Sequence, residues 1–549
     1  MATRAERVGT VREGHTAAIA APDFKMDARP KKAEARRAHR LMANAVYNLL
    51  PQFWFLGLTV FTTPFVLHRL GVEAYGILSI ITVVAGYLAF LDLGLNVAVI
   101  RFIAAHDAKG EREKIVRVTA TSLFIFSAMA LLTAAALMIS AHGLARVLSV
   151  PEAMQPEAAR ALQLGGISFG LNLILGVFSA VPRALQRFDV INALNVVIGT
   201  LQIGVTVLLL AAGMGLLALM IWSCVLSGLS LAVYAITAKR LLPFVSLWPR
   251  FDRETFRELF GFSGFVMASN FTSVAASNSE KLLLGGLAPI AQVTYYAVPF
   301  NLISRVLTLI PSNMFAVLFP AFSAMTVTDD REAIRRAYVR AFRMVFLAVA
   351  PITILLIAFG PDLLRFWIDA KMASNGGPVL MVLAVALLIN GPAWVTVTVG
   401  QSLGRPGVVA AAQVIHLGAL ILFGLWLVPL YGALGAALAW LAGNLVGIPV
   451  LLALVNRHTL AMSTPAMLRA SVLRPLLVTL SALLLAFALK PLAHGFISLI
   501  GASVVVVSFY AALAYWQALT SIDQAVIKTF VMSRGAALFS AAKTASGVE

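Results

Sequence analysis

Apolar residues run through this chain in blocks of about 20 to 25, separated by short polar segments that carry nearly all of the charge. The first block, Ala43 to Leu67, is long enough to cross a hydrocarbon core of about 30 Å as a tilted helix, and no small-residue cleavage pattern follows it. A window of about 19 residues places thirteen more spans. They lie near 75–102, 118–142, 159–182, 190–212, 216–238, 261–286, 294–320, 342–360, 378–402, 407–428, 433–455, 475–490 and 495–518. The pattern predicts an all-α integral membrane protein of about 14 transmembrane helices.

Composition agrees: 60% of residues are apolar and 12% charged, against about 45–50% and 25% in soluble domains. That excludes a soluble fold. Cys224 is the only cysteine, so an intrachain disulfide, a cysteine zinc site and an iron–sulfur cluster are excluded too. A net charge of +18 raises the question of nucleic acid, and the position of the charges answers it. With the N-terminus inside, 34 of the 42 Lys and Arg fall in cytoplasmic segments, as the positive-inside rule requires. The expectation is a multi-pass membrane protein with both termini cytoplasmic and no nucleic-acid partner.

The chain also repeats weakly at an offset of about 220 residues, as transporters built from two bundles do. RLGVEAYGIL (69–78) corresponds to AQVTYYAVPF (291–300), GEREKIVR (110–117) to DDREAIRR (329–336), and GMGLLALMIW (213–222) to YGALGAALAW (431–440). Six spans per repeat give both halves the same orientation. The domain reading follows: a basic cytoplasmic tail 1–42, an N-lobe 43–238, a connector 239–260, a C-lobe 261–455, a cytoplasmic loop with two further spans 456–518, and a cytoplasmic tail 519–549. In the connector, Phe251, Phe256, Leu259 and Phe260 alternate with charged residues at helical spacing, which predicts an amphipathic helix lying at the membrane interface.

LGVEAYGILSI (70–80), FLDLGLNVAVIRFIA (90–104), LFPAFS (318–323) and QSLGRPG (401–407) together resemble the polysaccharide transporter branch of the multidrug/oligosaccharidyl-lipid/polysaccharide exporters. These are the O-antigen-type flippases. The resemblance extends over about residues 43–518. It implies two six-helix lobes in a V around a central cavity with two extra C-terminal helices. It also implies transfer of an undecaprenyl-pyrophosphate-linked oligosaccharide from the inner to the outer leaflet. Two relatives share that fold. Multidrug and cation antiporters usually stop at twelve spans, and many use an acidic residue in the first; span one here has only Asn44, Asn48 and Gln52. Lipid II flippases line their cavity with arginines in the first two spans, a set this chain lacks.

A charge at the centre of a membrane helix costs about 2.5–3.5 kcal/mol on insertion scales, so each one must face protein, water or ligand. Arg305 lies near mid-depth in span eight, and Lys281 and Glu280 toward the outer end of span seven. Arg305 and Lys281 are the candidates for binding the pyrophosphate, for which a guanidinium offers a rigid fork of donors. The competing reading pairs Arg305 with Asp92 or Glu280 and lets Lys281 snorkel. Asp92 and Glu280 are candidate gating or coupling groups. Asn270, Asn278 and Asn301 are candidate cavity residues for sugar hydroxyls; for these, as for Asn172 and Asn313, an interhelical hydrogen bond is the plainer role. His416 reads as a packed polar residue, and Gly435, Ala439, Gly443 and Gly447 as a helix-packing stripe.

No phosphate-cradling loop, nucleophile motif or metal-ligand cluster is present in the sequence. The expectation is a transporter, not an enzyme, without cofactor or metal, working by alternating access on a lipid-linked oligosaccharide among membrane lipids. A polysaccharide polymerase and a chain-length regulator are expected partners. A membrane polymerase of the glycan itself would require longer outer loops with acidic or histidine clusters.

Overall fold

The computed structural model describes residues 52 to 528, except positions 53, 89–91, 93, 328, 329, 522, 526 and 527, and except the side chains of 262–277, 312, 316, 317, 326 and 327. The N-terminal tail, the start of span one with Asn44 and Asn48, and most of the C-terminal tail lie outside the described residues.

The described residues open with α1 (Trp54–Leu70) and α2 (Val72–Leu88), whose axes differ by 119°. The turn rests on Gly71 at φ +82°, a backbone conformation that favours glycine. The second expected span, 75–102, is broken. α2 ends at Leu88 and α3 (Leu95–Ala108) starts after Gly94 at φ +71°. Asp92 Oδ1 accepts from the Asn96 amide at 3.1 Å, so the carboxylate satisfies one of the new helix's orphan donors.

α4 (Arg112–Val147), α5 (Gln155–Ala184), α6 (Phe188–Ala211) and α7 (Leu216–Leu241) complete the first half. α8 (Arg253–Leu287), α9 (Ile290–Leu307) and α10 (Asn313–Val327) follow, the last two joined by a widened turn at Thr308–Ser312 that contains Pro311. Proline removes a ladder donor, and the wider turn accommodates the loss. Then come α11 (Arg331–Trp367), α12 (Ala370–Ser402), α13 (Pro406–Tyr431) and α14 (Ala433–His458). A short α15 (Thr464–Ser471) precedes the final pair, α16 (Leu473–Leu489) and α17 (Phe496–Leu513). Among the described residues 11 helices are long and apolar enough to cross a membrane, or 12 with α1 and α2 counted together. The eleven leave out three of the expected spans: span one begins outside the described residues, span two is interrupted, and α8, which holds span seven, is not among them.

The connector departs from expectation. Residues 243–252 contain no helix, and 253–260 are the first turns of α8. The helix begins where Asp252 accepts from the Thr255 amide at 2.9 Å and the Thr255 hydroxyl at 2.5 Å. These two bonds hold its carboxyl below the usual carboxylate range. Most of the apolar stripe is covered by protein, although Phe251 is 49% exposed. Leu259 is 1% exposed and Phe256 and Phe260 pack on the core of the first half.

The repeat is visible in the packing. α4 pairs with α5 as α11 pairs with α12, α5 with α7 as α12 with α14, and α2 packs against α9, its counterpart. The corresponding turns before α7 and α14 use Gly213 at φ +79° and Gly432 at φ +56°. α16 and α17 stack against α11 around Phe346, Ala350, Ala358 and Phe359.

The bundle has two unlike ends. The turns at 109–111, 185–187, 242–252, 403–405 and 459–463 lie at what we term the basic end, and those at 71, 148–154, 212–215, 288–289, 368–369, 432 and 490–495 at the far end. Near the far end one apolar core is continuous across both halves, joining Ile77, Ile80 and Leu216 to Ile290, Val293 and Tyr296. Toward the basic end the first half has a separate core around Leu95, Ile115, Val181 and Tyr234.

Candidate functional site

α9 carries the features on which a site is built. Its residues Phe300 and Ser304, with Thr308 at the start of the widened turn that follows, are spaced four apart and line a cavity of about 360 Å³ within the second half. α12 adds Asn390 and Trp394, α13 adds Gln413 and His416, and α14 adds Trp440 and Asn444. The glycine stripe of α14 makes the room for His416: a Cβ at Gly447 would lie 2.5 Å from the His416 Cβ. Asn390 Nδ2 donates to Asn444 Oδ1 at 2.8 Å, and Asn444 Nδ2 donates to the Trp440 carbonyl at 2.9 Å. Gln413 and the indole of Trp394 have no hydrogen-bond partner among the described residues. Trp394 is 40% exposed.

A second cavity of about 250 Å³ lies in the first half, bordered by Thr62, Thr63, Tyr75, Gln202 and Thr206. The hydroxyls of Thr62 and Thr63 donate to their own helix at Leu58 and Thr59, both at 2.7 Å.

The residues singled out from sequence do not form one cluster. Asn301 is exposed and turned toward Tyr75 of α2, so it stands between the halves. Arg305, one turn further toward the basic end on the same face of α9, is exposed and makes no ion pair or hydrogen bond among the described residues. Neither Asp92 nor Glu280 pairs with it. Lys281 lies 4.6 Å from the centroid of the Phe300 ring, a cation–π contact, so its ammonium is turned to protein rather than to the surface. Glu280 is 1% exposed, with both carboxyl oxygens and the adjacent Tyr296 hydroxyl outside hydrogen-bond geometry. Asn278 faces Gly86 of α2, whose Cβ would sit 3.4 Å from its Nδ2, next to the Tyr87 to Ser279 hydroxyl contact of 3.1 Å. Asn270 lies where side chains are outside the described residues. Asp92 caps α3, and Arg183 acts on it as a counter-charge.

Asn172 donates to the Ser168 carbonyl at 2.8 Å and to Ser227 at 2.9 Å, an interhelical bond. Asn313 bridges to Gln52 of the first half at 3.3 Å and to the Leu309 carbonyl at 2.8 Å. Sequence reasoning missed Trp394, Gln413, Asn390 and Asn444. Their signal was present as lone amides and a tryptophan within apolar runs, but only packing tells a satisfied amide from an open one. Among the described residues no cluster of His, Cys, Asp and Glu is arranged to hold a metal ion.

A family model described as polysaccharide biosynthesis protein matches residues 66–372. A Shigella flexneri protein named as an O-antigen transporter is 25% identical over 407 residues, covering 73% of this chain and 94% of that one. A Haloferax volcanii protein named as a flippase is 23% identical, covering 70% and 77%. Among solved structures, the lipid II flippase MurJ in an inward closed conformation superposes with a TM-score of 0.66 at 15% identity, over 86% of this chain and 99% of that chain. An inward-facing multidrug resistance MATE family transporter of the MOP superfamily gives 0.61 at 16% identity, over 77% and 95%. At these identities the superpositions carry the fold.

Proposed function

The chain belongs to the polysaccharide biosynthesis protein family, and on that premise we propose that it is a flippase that moves an undecaprenyl-pyrophosphate-linked oligosaccharide from the inner to the outer leaflet of the bacterial inner membrane. The relatives named for O-antigen transport and lipid flipping support this reading. The observation that carries it is Arg305. A guanidinium near mid-depth, exposed, unpaired among the described residues and on the face of α9 that meets the other half suits a ligand with two negative charges better than it suits lipid.

In this reading the basic end is cytoplasmic, both termini lie there, and the lobes 43–238 and 261–455 move as bodies. The lobes rest against one another near the far end and separate toward the cytoplasm, where the diphosphate enters. The polyprenyl tail stays in lipid, and rocking of the lobes passes the head group outward. Arg305 binds the diphosphate, and Lys281, Asn301 and Asn278 border its path. The chain is a transporter rather than an enzyme, and a glycan polymerase and chain-length regulator receive its product. An inside-negative potential favours outward movement of the anion by about 2.3 kcal/mol per charge per 100 mV.

The test is reconstitution in vesicles with a fluorescent polyprenyl-diphospho-oligosaccharide. Arg305→Ala is expected to lower the flipping rate at least tenfold with normal membrane insertion, and Arg305→Lys to retain part of it. Wild-type flipping rates in the alanine variant would defeat the assignment.

A further inference from the structure

The two long faces of α9 differ in chemistry. Arg305 stands on the face that meets the other half, whereas Phe300, Ser304 and Thr308 line the cavity behind it. That cavity has no Asp, Glu, Lys or Arg in its lining, so it is not built for a phosphate. Nor is it a purely apolar slot for a lipid tail, since amides and hydroxyls enter it from α9, α12, α13 and α14. An exposed tryptophan ring and a glutamine with unspent donors among the described residues line the same cavity and leave polar capacity that the protein described does not satisfy.

We infer that the cavity of the second half seats one neutral sugar ring of the transported glycan, with Trp394 as its stacking face and Gln413, together with the Asn390–Asn444 pair, as its hydrogen-bonding rim. The inference rests on the flippase reading and extends it by giving the sugar and the diphosphate separate seats on adjacent faces of one helix, about 100° apart from Ser304 to Arg305. A pyranose has apolar C–H faces and a rim of hydroxyls. It therefore matches an aromatic platform edged by amides, each of which supplies both a donor and an acceptor. The volume of about 360 Å³ falls at the small end of the roughly 300–1,000 Å³ typical of ligand sites, which limits the seat to a ring or two. Access fits as well. Trp394 is eight residues from the basic end of α12 and Gln413 seven from that of α13, about 10–12 Å in depth at 1.5 Å per residue. A head group entering from the basic end meets this rim before it reaches the level of Arg305.

The test uses the full chain in lipid nanodiscs and two probes, undecaprenyl diphosphate and the same lipid carrying a neutral disaccharide. The quantity read is the ratio of their dissociation constants. The wild type is expected to prefer the glycosylated probe at least tenfold. Trp394→Leu and Gln413→Leu are each expected to bring the ratio close to one, and Trp394→Phe, which keeps a ring, to restore most of it. Arg305→Ala is expected to weaken both probes and to keep the ratio. A wild type that binds both probes equally, or a ratio untouched in both leucine variants, overturns the sugar seat and leaves the flippase reading standing. A wild type that binds neither probe overturns the flippase reading and the seat with it. If Trp394→Leu does not fold, the Gln413→Leu ratio decides.

Discussion

The far end and the basic end of this bundle are made of the same kinds of helix and are held together by different means. At the far end the halves interlock at backbone distance. The fully buried Thr294 donates from its hydroxyl to the Val72 carbonyl at 2.6 Å, and a Cβ at Gly76 would lie 2.6 Å from the Ile290 carbonyl oxygen. Trp367 of the second half donates to the Val60 carbonyl of the first at 2.7 Å. Toward the basic end the first half keeps a core of its own, and the halves meet through the first turns of α8, which pack on the first half, and through the Asn313–Gln52 bond. A close-packed seam at one end and separate cores at the other is the arrangement that the proposed rocking of the lobes calls for. The seam is held by small residues and a few hydrogen bonds, and a short list of such contacts is easily shifted by one substitution.

The largest effect should come from filling the seam. Gly76→Leu places a side chain where only backbone fits, and overpacking of this kind costs about 1–3 kcal/mol, roughly 5- to 150-fold in an equilibrium. The expected outcome, in a Cys224→Ser background, is faster labelling of a cysteine at Ala288 by a membrane-impermeant maleimide added at the far side. Unchanged labelling would show that the seam does not govern far-end closure. Thr294→Val removes one buried hydrogen bond and keeps the shape. It should shift the same labelling in the same direction by about 1 kcal/mol, roughly fivefold.

The smallest effect belongs to the other end. Asp252→Ala removes the cap of α8 and should lower the melting temperature slightly at pH 7, with little change in far-end labelling. The sign with pH follows from the depressed Asp252 carboxyl. Its contribution is present above the unfolded carboxylate value of about 3.9 and is lost as pH falls through the lower folded value. Melting curves of wild type and variant should therefore converge on acidification. A gap that widens instead would remove the cap as its cause.

Helix number, order and repeat were largely readable in the chain because each follows from local quantities. A run of about 20 apolar residues has to be helical in lipid, and Gly71, Gly213 and Gly432 mark turns by the backbone they permit. The break in span two was hidden, since FLDLGLN is apolar enough to read as continuous helix until Asp92 is seen capping α3. The connector was misplaced for a related reason. Its amphipathic spacing specifies a helix with one buried face but not what buries it, and here the cover is protein.

For the site, the charges were legible and their surroundings were not. The cost of an ion in lipid singled out Arg305, Lys281, Glu280 and Asp92 whatever the fold, because that cost depends on depth alone. Whether each meets a carboxylate, a ring or open space depends on which helix comes alongside. Lys281 met Phe300, Asp92 met an amide, and Arg305 met no described partner. The cavity at Trp394 and Gln413 was beyond the sequence for the same reason, since it is assembled from four helices distant in the chain. Burial in lipid is a property of each segment and can be summed along it, whereas an unsatisfied donor is a property of neighbours. The sequence by itself therefore determined the spans, the repeat and the placement of charge, and only tertiary packing decided which polar groups remain open to a ligand.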